Sequence, residues 1–562
     1  MTENSELDEI FPRQQGELSN ERYRLGVVVG GSLSKGLGVK LDAGDLPGGL
    51  MEQIAVGRYV VVEGLTGRNF FSIITDVALE STNPVIETKP PDDGFLAEIY
   101  RSTITYGRAS VTPMLVLERE ASSPKPVKTI PAHFSLVYQA SEEDVDRVFG
   151  SEDHNHFHIG SPLEMEGVKV NLDLVRFVQR SSGVFGKSGT GKSFITRTLL
   201  AGIINSRSAS CLIFDMHNDY GWAVKNEQGS EFKGLQQLFS ANHVNVITLD
   251  PQTSLSRGGR SDGTLHIPYD QIDPEDVAML AGVLALSEVQ VNALYFLRRK
   301  LGRDWFRILL SDEEVSLGQE RLDEFVESGD LIKGTLGAIQ RKFELFRRMD
   351  FLKEKVSEDV VETIFHKLNT GTSIVLEFGT FGDSLPAYMF VANYLTRRIH
   401  RRYVAAKNEA FGNQGDDPRP LLIVIEEAHK FLDPEIAQHT IFGAIARELR
   451  KYNVTLLVVD QRPSGIDDEV MSQIGTRVTC LLDNESDIRA VFSGVSGAGA
   501  LREVLARLDT QQQALIMGHA VPMPVVIRPR DYGEELYAAL GQQPYDNQEE
   551  KVQRAKNDLF GD

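Results

Sequence analysis

The run GKSGTGKS at 186–193 constrains this chain more than any other feature. It fits G-x-x-x-x-G-K-[ST] at every fixed position. An apolar, strand-length run, SSGVFG (181–186), precedes it, and a helix-patterned run, FITRTLLAGII, follows it. Glycines at 186, 189 and 191 let the main chain wrap closely around phosphate oxygens. The loop amides then converge at a helix start, where the peptide dipoles favour anions. The reading predicts an ATP site made by Gly186, Lys187, Ser188, Gly189, Thr190, Gly191, Lys192, Ser193 and Phe194. Lys192 places its charge on the β- and γ-phosphates, and the Ser193 hydroxyl binds Mg²⁺. A chance glycine-rich turn is the alternative, and the strand and helix on either side argue against it.

Around this loop, strand-length apolar runs alternate with helical segments. They include CLIFD (211–215), VNVITLD (244–250), SIVLEFG (373–379), LLIVIEE (421–427), TLLVVDQ (455–461), TRVTCLLD (476–483) and QALIMG (513–518). Near-continuous apolar strands imply a sheet covered on both faces, so the predicted fold class is α/β, a RecA-like P-loop core over 146–535. A charged, helix-periodic stretch at about 272–366 reads as a helical insertion. Upstream, 22–145 carries short β runs punctuated by glycine and proline, which predicts a small N-terminal β-barrel. Residues 1–21 read as a disordered acidic leader, and 536–562 as a C-terminal helix and tail. The N-terminus lacks the apolar core of a signal peptide, and no run is long enough to span a membrane. Cys211 and Cys480 sit in apolar runs and read as buried thiols of a cytoplasmic protein. The net charge of −21 argues against coating DNA non-specifically, while leaving room for a local basic channel.

A second site is expected where LLIVIEEAHKF (421–431) ends in two carboxylates. Acids at the C-terminal edge of a parallel strand face the ligand crevice. Glu426 is the candidate Mg²⁺ holder, partly through water, and Glu427 the general base for the attacking water. A helix start with favourable acids is the plainer reading of the same residues. The next strand ends in Asp460 and Gln461, and the Gln461 amide is placed to contact the γ-phosphate; a plain strand-to-loop transition is the alternative. Asp215, closing the strand after the P-loop helix, belongs either to the crevice or to the cap of the following turn.

These segments together resemble the HerA family of the HerA–FtsK ring ATPases. The likeness covers the barrel, the loop at 186–193, DMHNDY (215–220), EEAHKF (426–431), IARELRKYNV (445–454) and DQRPSGIDDEVMSQIGTR (460–477). Two departures are Glu426, where P-loop ATPases usually have Asp, and Leu449, where members often have Gly. The resemblance implies a homohexamer that drives double-stranded DNA through a central channel, with a NurA-like nuclease docked on the N-terminal barrel for end resection. It also implies arginines delivered from a neighbouring subunit, matching Arg180 and either Arg450 or Arg447. By themselves these three read as surface arginines. A nucleotide-gated ring that activates a bound effector nuclease without movement is the second reading. A membrane-anchored secretion pump is a third and weaker one.

Three further stretches carry weaker signals. His154, His156 and His158 alternate in DHNHFHIG (153–160), as a metal face or as a polar linker. Arg397, Arg398, Arg401 and Arg402 in TRRIHRRY (396–403) suit DNA phosphates, a solvated face or a subunit contact. Arg257 and Arg260 lie in the loop QTSLSRGGRSDG (252–263), a candidate pore loop.

Overall fold

The computed structural model describes residues 22–541, except 43–53, 66, 84, 119–123, 164, 166, 226–228, 230, 312–316, 438–439, 496–497, 507 and 509–512. The acidic leader and most of the expected tail therefore lie outside the described residues. The chain divides into two compact units, 1–148 with 164–168, and 149–163 with 169–562.

The first unit is a small barrel. Its strands are β1 (Arg24–Ser32), β2 (Gly36–Leu41), β3 (Tyr59–Glu63), β4 (Arg68–Ser81), β5 (Thr105–Glu118), β6 (Lys125–Pro126) and β7 (Leu136–Gln139). Six of them run in the order β2-β1-β7-β3-β4-β5, and pairing of β2 with β5 closes the ring. Closure satisfies the ladder groups that an open sheet leaves at its edges. Val28, Val39, Val60, Val62, Ile74, Val111 and Val137 point inward and form the core. Two elements escape the periodicity reading. GLGVKL, which carries two glycines, forms β2, buried except at Lys40 and paired with β1 and β5. The helix Gly94–Thr103 starts at Asp93, whose carboxylate accepts from the Phe95 amide.

The second unit is built on a twelve-stranded sheet. Its strands are β8 (His156–Pro162), β9 (Val170–Asp173), β10 (Ser182–Phe185), β11 (Ser210–Asp215), β12 (Val244–Thr248), β13 (Gly263–Thr264), β14 (Ser373–Glu377), β15 (Leu421–Glu426), β16 (Val454–Asp460), β17 (Thr476–Thr479), β18 (Ala514–Gly518) and β19 (Val525–Pro529). The order is β13-β12-β14-β11-β15-β16-β10-β17-β18-β19-β8-β9. Strands β13 through β17 are parallel, and the rest continue antiparallel. Every residue of β11, β14, β15 and β16 is buried, as a sheet covered on both faces requires. This is the RecA-like core, with its ligand edge at the C-terminal ends of β10, β11, β15 and β16.

Helices Pro274–Ala278, Glu288–Leu301, Trp305–Leu310, Leu317–Glu327 and Lys333–Arg347 follow β13. Trp305, Phe306, Phe343 and Phe346 fill their interior and meet Phe390 of the long helix Leu385–Phe411. Asp276 is fully buried there and receives Arg397 at 2.7 Å and Arg398 at 3.0 Å. Two of the four arginines weighed for DNA phosphates are thus committed to an internal ion pair, and Arg402 pairs with Glu362 at 2.8 Å. Strand β8 takes up His156–Gly160 of DHNHFHIG, where His156 Nδ1 sits 3.0 Å from Asp153 and burial pushes His158 down to about 4. Among the described residues these histidines form no metal-holding group. No helix of the described residues is long and apolar enough to cross a membrane.

Candidate nucleotide site

The phosphate loop joins β10 to the helix Lys192–Ser206. Gly189 and Gly191 take φ of 80° and 95°, which a side chain disfavours, and open space lies where a Cβ would stand. Gly186 is constrained by contact instead, since a Cβ there would lie 2.7 Å from Cβ of Cys480. The loop is pinned at its base by the Lys187 amide, which donates to the Leu481 carbonyl at 3.0 Å, and at its rim by a Lys187–Asp483 ion pair at 2.5 Å. Thr190 Oγ1 closes it by donating to the Lys187 carbonyl at 2.7 Å. Lys192 Nζ donates to the same carbonyl at 3.0 Å, so its charge lies over the loop. Burial pulls the Lys192 ammonium below its ordinary pKa, against the nearby Cys480, Glu427, Asp460 and Glu426. Ser188 is exposed at the rim, and Ser193 and Phe194 open the helix.

Glu427 stands just past β15 with φ of 47°, a left-handed conformation that a long side chain rarely holds. Gln461 Nε2 donates to Glu427 Oε1 at 2.8 Å. Asp460 is clamped in turn, accepting from the His429 amide at 2.7 Å, the His429 ring at 3.0 Å and the Arg462 amide at 2.6 Å. Since β15, β16 and β10 are neighbours, Glu427, Gln461 and Lys192 end on one edge of three adjacent strands. Glu427, His429 and Asp460 offer ligand atoms all within 4.8 Å of one another. His429, inside EEAHKF, is a site residue that its local pattern does not announce.

Behind this edge lie three buried acids on the adjacent strands β14, β11 and β15. Burial, then the charge of Asp215, raises Glu426 to about 8 and Glu377 to about 7. Burial likewise raises Asp215 to about 6, opposed by turn amides. Asp215 accepts from the Asp219 amide at 2.7 Å and the Tyr220 amide at 2.8 Å, so of its two expected roles the structure displays the turn cap. Tyr220 OH donates to Glu426 Oε1 at 2.8 Å, while Glu426 Oε2 is buried with no hydrogen-bond partner among the described residues. Tyr220 was legible only as the last letter of DMHNDY.

Arg180 and Arg447 do not join the loop within one chain. Arg180 precedes β10, whereas the phosphate loop follows it, so a full strand separates them. Arg180 and Arg447 line a cavity of about 500 Å³ at that opposite edge, with Ser472, Gln473 and Arg477. Arg450 has its backbone in the turn Leu449–Tyr452, and its side chain lies outside the described residues.

A family model described as the central domain of helicase HerA matches residues 157–399. A DNA double-strand break repair helicase HerA from Sulfolobus acidocaldarius is 25% identical over 85% of this chain and 89% of its own. One from Pyrococcus furiosus is 24% identical over 71% of this chain and 73% of its own. The chain is similar to the HerA family over these segments. Among solved structures, VirB4 of Thermoanaerobacter pseudethanolicus covers 68% of this chain and 98% of its own, at 14% identity and a TM-score of 0.42. With its phosphate loop intact, the chain is an ATP hydrolase similar to these helicases.

Proposed function

We propose that this chain is an ATP-driven translocase on double-stranded DNA, working in the cytoplasm as a homohexameric ring with a NurA-like nuclease in the resection of broken ends. The relatives named for double-strand break repair support the DNA role. The observation that carries the ring is the separation of Arg180 and Arg447 from Lys192 on opposite edges of one sheet. A cation for the γ-phosphate then comes from another copy, as in arginine-finger catalysis. Helix Gly94–Thr103 of the barrel, with Phe95 70% exposed beside the half-exposed Leu96 and Ile99, suits a docked protein partner.

In this reading the loop amides and Lys192 grip the β- and γ-phosphates. Glu427 takes the proton of the attacking water, and Gln461 holds Glu427 until the γ-phosphate draws the amide away. The donors present fit Mg²⁺: the Ser193 hydroxyl lies at the cradle, and the unpartnered Glu426 Oε2 suits a metal-bound water. Bound there, the ion would shield phosphate charge. The test is steady-state ATP hydrolysis with and without long duplex DNA. We expect DNA-stimulated turnover, loss of nucleotide binding in Lys192→Ala, and in Glu427→Gln retained binding with turnover down about 10²- to 10⁴-fold. Turnover indifferent to duplex DNA overturns the translocase. Full support of the nuclease by Glu427→Gln favours the nucleotide-gated scaffold.

A further inference from the structure

The phosphate loop runs directly into an aromatic residue that the fold holds at the surface. Phe194 follows Ser193 and remains 37% exposed, although the rest of its helix is almost wholly buried. Its ring is fixed on two sides. Phe232 meets it edge-on with centroids 4.9 Å apart, and the Arg197 guanidinium lies 5.6 Å from its centroid. Arg197 is only 3% exposed and donates to the Asp219 carbonyl. It also faces the rings of Tyr220 and Tyr532, each at 6.0 Å. The cage is therefore tied to Glu426 through Tyr220 and to the C-terminal segment through Tyr532.

A mobile surface aromatic would need no such support. The ring is held in one orientation with part of its surface in water, directly after the last loop residue. In a phosphate loop the main-chain amides cradle the α- and β-phosphates while the lysine reaches the β and γ, so the amide of residue 194, past the lysine, belongs to the α-phosphate end. The ribose leads outward from there, over the Phe194 side chain. We infer that Phe194 is the stacking platform for the nucleobase of the bound triphosphate. Every base presents a π-face, so such a platform favours nucleotide over bare polyphosphate without hydrogen-bond readout. The inference rests on the nucleotide-site reading above and adds the residue that receives the base.

The experiment is calorimetric titration of the full chain with Mg-ATP and, separately, with magnesium tripolyphosphate, which has the phosphates but no base. Phe194→Ala is expected to weaken ATP on the order of 10- to 100-fold and to leave tripolyphosphate unchanged. Phe194→Trp keeps the π-face and stays within about twofold of the parent for ATP. The platform is overturned if Phe194→Ala binds ATP as the parent does, or loses both ligands equally. It is also overturned if Phe194→Ala changes particle mass without nucleotide, which would make the ring a subunit contact. A parent that binds tripolyphosphate as tightly as ATP removes the platform alone. A parent that binds neither removes the nucleotide site with it.

Discussion

Three carboxylic acids buried on neighbouring strands cannot all carry charge, since each ionised group raises the next. Glu377 shows the consequence for stability. It is 3% exposed, accepts from the Ser254 hydroxyl at 2.9 Å, and is raised to about 7 by burial and then by Asp215. A raised acid binds its proton more tightly folded than unfolded. Its contribution is therefore complete below the unfolded carboxylate pKa and is lost as pH climbs toward about 7. Glu377→Gln removes that titration. We expect the parent to lose on the order of 1–3 kcal/mol between pH 5 and pH 8 that the variant keeps. Thermal melts at the two pH values check this, and equal pH-dependence in both proteins would exclude Glu377 as the source.

Among elements, the turns around β17 hang on one buried cation. Arg477 is 3% exposed and donates through Nη1 to the carbonyls of Val491 at 2.6 Å and Ser493 at 2.8 Å, and through Nη2 to Met471. Those carbonyls end the helices Asp468–Gln473 and Glu485–Val491, so a guanidinium fork ties two helix C-termini to a central strand. Burial alone pulls Arg477 down to about 10. Lysine keeps the charge but cannot span three carbonyls. Arg477→Lys should lower stability by roughly 2–4 kcal/mol in urea unfolding, with the loss shared by the cavity that Arg180 and Arg447 line. A variant as stable as the parent would mean the carbonyls find other donors. None of this was visible in TRVTCLLD, where Arg477 reads as one polar residue in an apolar run.

At the scale of the whole molecule, the placement of reactive groups on opposite sheet edges makes an arithmetic prediction. Lys192→Ala should lack nucleotide, and Arg180→Ala should bind it but not turn it over. If arginine acts across subunits, mixing the two inactive chains restores part of the hydrolysis, because some interfaces pair an intact phosphate loop with an intact arginine. Co-assembled mixtures titrated against each pure variant measure this. No recovery at any ratio would place Arg180 outside the reaction.

Local chemistry determined a great deal by itself. The strand–GKSGTGKS–helix run, the apolar strands ending in Glu426, Glu427 and Gln461, and the β-rich first unit were readable because each depends on neighbours in the chain: loop φ, strand burial, side-chain alternation. Tertiary structure decided the rest. That GLGVKL closes a barrel depends on its pairing with β1 and β5. Whether Arg397 and Arg398 meet solvent depends on Asp276, more than a hundred residues away. That His429 clamps Asp460, and that Tyr220 holds Glu426, follows from strand order, which periodicity does not encode. Long-range pairing of polar groups is fixed by which strands become neighbours, and the physical cost of leaving such groups unpaired appears only once they are buried together.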